Sequence, residues 1–209
     1  MRSSNTETLS EVIERINFIP VADKPVNYEP KRSIVALKYA GVAPKHRECS
    51  FDNFKGKVDL VRDLQASRES IFLTGNTGCG KTHLAISILR DATVTSPLAG
   101  YFITVPEMLM KIRSSFSNQS GETEEEIVKR FADYEVLVLD DLGSEKSTEY
   151  SITTLFLILD RRDRYNKRTI VTSNLSLLQI EDSLGARIAS RLAGMNTIQI
   201  NMPDYRKKR

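Results

Sequence analysis

The stretch Gly75-Asn76-Thr77-Gly78-Cys79-Gly80-Lys81-Thr82 has the spacing G-x-x-x-x-G-K-[ST], and each residue type in it meets a need of phosphate binding. Its three glycines permit a tight turn in which successive backbone N–H groups point inward. A helix starting at the end of the turn adds the positive end of its dipole, so a triphosphate is the expected ligand. Lys81 is placed to reach the β- and γ-phosphates, and the Thr82 hydroxyl to bind Mg²⁺. Cys79 occupies a variable slot of the motif and reads as a small filler.

A second group of residues supplies the rest of a phosphoryl-transfer centre. Val136-Leu137-Val138-Leu139-Asp140-Asp141 is an apolar run ending in paired carboxylates. At the C-terminal end of a strand, Asp140 can hold the Mg²⁺ shell and Asp141 can orient the attacking water. Thr169-Ile170-Val171-Thr172-Ser173-Asn174 reads as another strand with a polar tip. Asn174 there can hydrogen-bond the water or the γ-phosphate, although Asn also simply favours turns. Arg187 and Arg191 stand four residues apart on one helical face. Arg161-Arg162-Asp163-Arg164 closes a long helix. The dipole favours a basic end, which is expected to be solvated, with a phosphate patch as the alternative.

The elements that must position these groups follow from periodicity. Apolar, β-branched and aromatic runs predict strands at 71–74, 101–105, 136–141, 169–174 and 196–201. Between them, helical patterns cover 83–90, a segment opened by Pro106 and carrying Met108, Leu109, Ile112 and Phe116, then 122–132, 147–165 and 185–193. Ahead of the first strand, Ser33 is expected to cap a short helix over 34–40, and a further helix covers 57–66. Strands alternating with helices give an α/β fold, a parallel sheet covered on both faces. The ligand then belongs at the carboxyl ends of the strands, where the glycine loop, Asp140, Asp141 and Asn174 fall.

The chain has 209 residues, 40% hydrophobic and 27% charged, enough for one domain with a sizeable core and a short appendage. The division expected is 1–32, a helix and linker, and 33–209, the ATPase domain. Thr8-Leu9-Ser10-Glu11 has capping-box spacing, and Leu9, Val12, Ile13 and Ile16 share a face. Pro20, Pro25 and Pro30 make 18–31 an irregular linker. The amphipathic segment either docks in a partner's groove or folds back on its own domain. A net charge of +3 permits a nucleic-acid partner without arguing for one. Cys49 and Cys79 form no C-x-x-C, which supports neither a zinc site nor a disulfide framework. With no signal peptide and no long apolar segment, the expectation is a cytoplasmic protein with no membrane partner.

With these landmarks placed, the chain resembles AAA+ ATPases of the DnaC/IstB family, which includes replicative-helicase loaders and transposition helpers. The resemblance rests on Phe51-Asp52-Asn53-Phe54, the glycine loop, Phe102-Ile103-Thr104-Val105-Pro106-Glu107, Leu139-Asp140-Asp141-Leu142-Gly143, Thr172-Ser173-Asn174, Arg187-Ile188-Ala189-Ser190-Arg191-Leu192 and Asp204-Tyr205-Arg206. It implies a P-loop NTPase with an AAA+ core, a five-stranded parallel sheet flanked by helices. It also implies that no C-terminal lid domain follows, since little sequence remains after Asn201. Asn174 becomes the sensor that reads the γ-phosphate. Arg191 becomes an arginine finger acting on a neighbouring subunit's ATP, with Arg187 the second candidate, so a homo-oligomer is implied. The segment between Pro106 and Ala132 matches an insertion that contacts single-stranded DNA in loaders. That points to Arg113 and Phe116, a cation plus an aromatic platform, although Phe116 also fits as one more core residue. The implied function is an ATP-hydrolysing loader of a replicative helicase. A transposition helper and a nucleotide-gated adaptor with little hydrolysis are the alternatives. Asp-Asp, where many AAA+ proteins carry Asp-Glu, bears on the hydrolysis rate more than on nucleotide binding.

Overall fold

A computed structural model describes residues 29–95, 100–115 and 121–205. The expected N-terminal helix, Phe116 and the basic tail from Arg206 lie outside the described residues. Five parallel strands, β1 (Ile71–Gly75), β2 (Gly100–Thr104), β3 (Val136–Leu142), β4 (Arg168–Ser173) and β5 (Asn196–Ile200), form one sheet in the order β2-β3-β4-β1-β5. Alternation along the strands splits the core in two. Ile71, Leu73, Val138 and Ile170 face one layer, built with α1 (Glu29–Tyr39), α2 (Val58–Ala66) and α3 (Lys81–Thr95). Phe72, Leu137, Leu139 and Val171 face the other, built with α4 (Val105–Ser114), α5 (Glu124–Asp133), α6 (Glu149–Arg164), α7 (Leu177–Leu184) and α8 (Ala186–Ala193). Burial on both faces is why the inner strands read as unbroken apolar runs.

Several boundaries move for identifiable reasons. α1 begins at Glu29, so the expected linker ends earlier, and Pro30 falls in the first helical turn, where its missing N–H costs nothing. Ser33 is therefore a buried interior residue and not the cap. α3 was expected to show an apolar stripe. Instead every residue from Leu84 to Leu89 is buried, because the helix is wedged between the sheet and α1. Val105 leaves the strand for α4, since the Thr104 side chain accepts the Glu107 N–H while the Glu107 carboxylate accepts the Thr104 N–H, a reciprocal cap. α7 was not anticipated. Ser176 and Gln179 make the same reciprocal cap for it, in eight residues too few for a clear apolar period.

The largest departure is Arg162, expected on a solvated helix end and found fully buried. Its guanidinium donates to the carbonyls of Phe131 (3.1 Å), Ala132 (3.1 Å), Tyr134 (2.7 Å) and Arg168 (2.6 Å) and to the Thr169 hydroxyl (2.9 Å). It thus satisfies the unpaired carbonyls at the end of α5 and ties that end to the start of β4. Burial lowers its pKa to about 10, still far above neutrality.

Candidate nucleotide site

The glycine loop joins β1 to α3 at the carboxyl edge of the sheet. Its conformation requires glycine at Gly78 and Gly80, whose φ angles are +75° and +99°. Each is also closely covered: a Cβ on Gly78 would lie 1.8 Å from the Asp204 carboxylate, and one on Gly80 would lie 2.7 Å from the Phe54 ring. Cys79 is fully buried, as a filler should be. The Lys81 ammonium bonds the carbonyls of Gly75 (2.7 Å) and Asn76 (2.8 Å) and the Asn174 side-chain oxygen (2.9 Å). The Asn174 amide nitrogen in turn donates to the Asp141 carboxylate at 3.3 Å. Asn174 therefore links the lysine of one motif to the acid of the other.

The two carboxylates are set apart by local backbone geometry. The β3–β4 register shifts between Leu139 and Leu142, and Asp141 takes a φ of +62°, a left-handed conformation uncommon for a residue with a side chain. Thr172, on the neighbouring strand, holds this arrangement: its hydroxyl accepts the Asp141 N–H (3.0 Å) and donates to the Asp140 carboxylate (2.7 Å). Asp140 also accepts the Thr82 hydroxyl at 3.0 Å. Burial pushes the Asp140 pKa up, while the hydrogen bonds from Thr172 and Thr82 oppose that rise. Thr82 and Asp140 offer a hydroxyl and a carboxylate oxygen side by side. Such a donor set fits Mg²⁺, which takes one or two protein oxygens and completes its shell with water and phosphate.

These groups open into a cleft of about 910 Å³. Its far side is lined by His46, Cys49, Asn53, Phe54 and Lys55, and by Tyr205, whose N–H donates to the Gly78 carbonyl at 3.2 Å. Phe54 packs against His83, which bonds the Ser50 carbonyl through Nε2 at 2.9 Å. Thr172 and this rim were not singled out as site residues in the sequence. The Thr172-Ser173-Asn174, Phe51–Phe54 and Asp204-Tyr205 stretches marked the places, but none of these residues carries chemistry legible by type alone.

Arg187 and Arg191 stand elsewhere. Arg191 lines a separate cleft together with Ser70, Arg168 and Asn196, which lie at the start of β1, β4 and β5. It is therefore at the opposite edge of the sheet from the glycine loop, roughly 16 Å away for a five-residue strand. Both guanidiniums lie over the Phe156 ring, Arg187 at 5.7 Å and Arg191 at 5.9 Å. Arg191 also bonds Asp160 at 2.7 Å. Arg113, on α4, lies over the Tyr150 ring at 5.6 Å, and the Tyr150 hydroxyl donates to Glu124 at 2.8 Å.

Residues 57–209 match the model of the family described as IstB-like ATP binding protein. The chain belongs to that family. This IstB-like chain is 25% identical to the replicative helicase loader DnaC of Escherichia coli strain K12 over 182 residues, 81% of this chain and 74% of DnaC. Among solved structures, the DnaC helicase loader crystal structure superposes with a TM-score of 0.67 at 23% identity, covering 76% of this chain and all of that one. AMPPCP-bound DnaA from Aquifex aeolicus gives 0.66 at 19% identity, over 78% of this chain and 53% of DnaA. The IstB-like fold is thus a five-stranded AAA+ P-loop core, and among the described residues no helical lid follows β5. No described helix is long and apolar enough to cross a membrane.

Proposed function

We propose that this protein loads a replicative DNA helicase, with ATP binding and hydrolysis as its switch and single-stranded DNA as a ligand. The observation that carries the reading is the similarity to DnaC over four-fifths of the chain, supported by a cleft lined by Lys81, Thr82, Asp140, Asp141 and Asn174. Residues 33–209 act as the ATPase unit and residues 1–32 as the segment that docks on the partner.

In this reading, Lys81 leaves its carbonyl partners for the β- and γ-phosphates, while the loop N–H groups and the start of α3 hold the remaining charge. Thr82 and Asp140 hold Mg²⁺, which supplies neutralisation of phosphate charge. Asp141 orients the attacking water, and Asn174 couples that water to the phosphate end. Arg191, at the opposite edge of the sheet from its own subunit's cleft, serves the cleft of a neighbour, with Arg187 the second candidate, so hydrolysis requires a homo-oligomer. Arg113 and Phe116 contact the DNA strand.

The discriminating experiment is recovery of partners from the native host with ATP present. Capture of a hexameric helicase supports the loader, whereas capture of a transposase would replace it with a transposition helper. Steady-state ATP hydrolysis with and without single-stranded DNA tests the remaining alternative. Negligible turnover in both conditions would leave a nucleotide-gated adaptor. Lys81→Ala should strongly weaken ATP binding by calorimetry, and unchanged affinity in a folded variant would remove the phosphate role assigned to Lys81.

A further inference from the structure

Arg191 does not hang free on the surface. Its Nη2 donates to the Asp160 Oδ1 at 2.7 Å, its Nη1 lies 3.7 Å from the Asp163 carboxylate, and its guanidinium covers the Phe156 ring. Its Nε is buried with no hydrogen-bond acceptor, so the hydrogen-bonded hold on the side chain comes from Asp160. Asp160 is itself oriented. Its other oxygen, Oδ2, accepts Arg164 Nε at 2.9 Å across one turn of α6. Arg191 and Arg164 thus share the Asp160 carboxylate, and Asp163 is a second, more distant acid for Arg191. Arg187 adds a second guanidinium on the same Phe156 ring. The side chain of Arg191 is about one-third exposed and that of Asp160 17% exposed, so the acid lies beneath and the guanidinium above.

The geometry points to Asp160 as a positioning residue for the arginine finger: it fixes Nη2 of the Arg191 guanidinium so that the exposed third of the side chain is presented, already ordered, to a neighbouring subunit's phosphates. This rests on the trans-acting role proposed for Arg191. An arginine side chain has many rotamers to lose, and fixing its planar fork before the neighbour arrives removes that entropic cost from the reactive encounter. A carboxylate suits this better than a carbonyl, because a charge-assisted bond fixes both distance and plane. Phe156 supplies a flat floor that keeps the fork from swinging inward. Asp160 touches no substrate and acts only through Arg191.

Complementation between subunits tests this and separates it from a merely structural role. Asp160→Asn should retain ATP affinity and assembly while hydrolysing roughly ten- to a hundredfold more slowly, the scale of a misplaced reactive group. Asp160→Glu should recover part of the rate. Adding Lys81→Ala subunits, which carry an intact finger over a dead site, should restore hydrolysis at the intact sites of Asp160→Asn. Lys81→Ala subunits that also carry Asp160→Asn should restore none. In the Asp160→Asn/Arg191→Ala double variant, the loss should match that of Arg191→Ala alone. The control is Arg191→Ala mixed with Lys81→Ala, with mixed assembly verified by crosslinking. Recovery in the control but not with Asp160→Asn overturns the role of Asp160 and leaves the finger standing. No recovery in the control overturns the finger and Asp160 with it. A faster Asp160→Asn would mean that Asp160 sequesters Arg191, which also overturns the inference. Should Asp160→Asn fail to fold, Arg164→Gln, which releases the other side of the same carboxylate, should show a weaker defect that the same mixture corrects, and an unchanged rate there counts against the inference.

Discussion

Asp140 pits stability against ligand binding at a single residue. Burial raises its pKa, so its ionised form is disfavoured in the folded protein. A carboxyl with a folded pKa above its unfolded value contributes most favourably below the unfolded pKa, near 3.8, and that contribution is lost as pH rises through the folded value. At neutral pH the buried charge therefore costs stability, and Asp140→Asn should raise Tm by roughly 2–4 °C, the shift about 1 kcal/mol produces in a domain of this size. Calorimetric scans at pH 7 and pH 4 should show the gain at pH 7 shrinking at pH 4, and the variant should lose Mg²⁺-dependent ATP binding. Asp141→Asn should instead bind ATP and hydrolyse it slowly. Asp140, Asp141, Lys81 and Thr82 were legible from type and spacing because phosphate chemistry admits few substitutes. Thr172 was not, since a threonine in a strand is ordinary until its hydroxyl is seen between Asp140 and the Asp141 N–H.

Among the elements, α6 carries the most that periodicity hid. Its apolar face was readable from Ile152, Leu155, Phe156 and Leu159, of which Leu155 and Leu159 are buried and Ile152 and Phe156 partly buried. The basic run at its end was not, because four arginine-or-aspartate residues look alike on a helical wheel while their environments differ completely. Arg162 points into the interior to hold four carbonyls, whereas Arg161 and Arg164 remain partly exposed and pair with Asp133 and Asp160. Arg162→Met keeps the bulk but strands those carbonyls, and should cost about 2–4 kcal/mol in urea unfolding. Arg162→Lys should restore little, since one ammonium cannot span acceptors arranged for a planar fork. The strands were all placed correctly to within a residue or two. Their β-branched runs and double-sided burial leave little room for another reading, whereas the caps that set the helix ends depend on side-chain reach.

Over the whole molecule, the sheet separates two functions. The cleft lies at the carboxyl edge and Arg191 at the amino edge, so on the proposed trans arrangement specific hydrolytic activity should climb as protein concentration rises, or when DNA gathers subunits together. A flat activity from dilute to concentrated protein would contradict the trans arrangement. Binding to single-stranded DNA, followed by fluorescence anisotropy, should weaken steeply with salt as cations are released, with a log–log slope of about −0.7 per phosphate contacted. The Arg113→Ala/Phe116→Ala variant should bind more weakly with a shallower slope, and equal binding would move the site elsewhere.

The far wall of the cleft joins residues far apart in sequence, His46 to Lys55 and Tyr205, with the Tyr205 N–H pinned to Gly78. A ligand lodged there would act as a buckle between early and late chain. Its binding energy should therefore report on global melting and not on local fraying. With ligand at a hundred times its dissociation constant, the gain is about 2.7 kcal/mol, or roughly 5–10 °C in a domain of this size. Proteolysis at the C-terminal segment should slow in step with that thermal gain. If the segment stayed equally cleavable while Tm rose, the buckle would be closed on one side only, by the early chain alone.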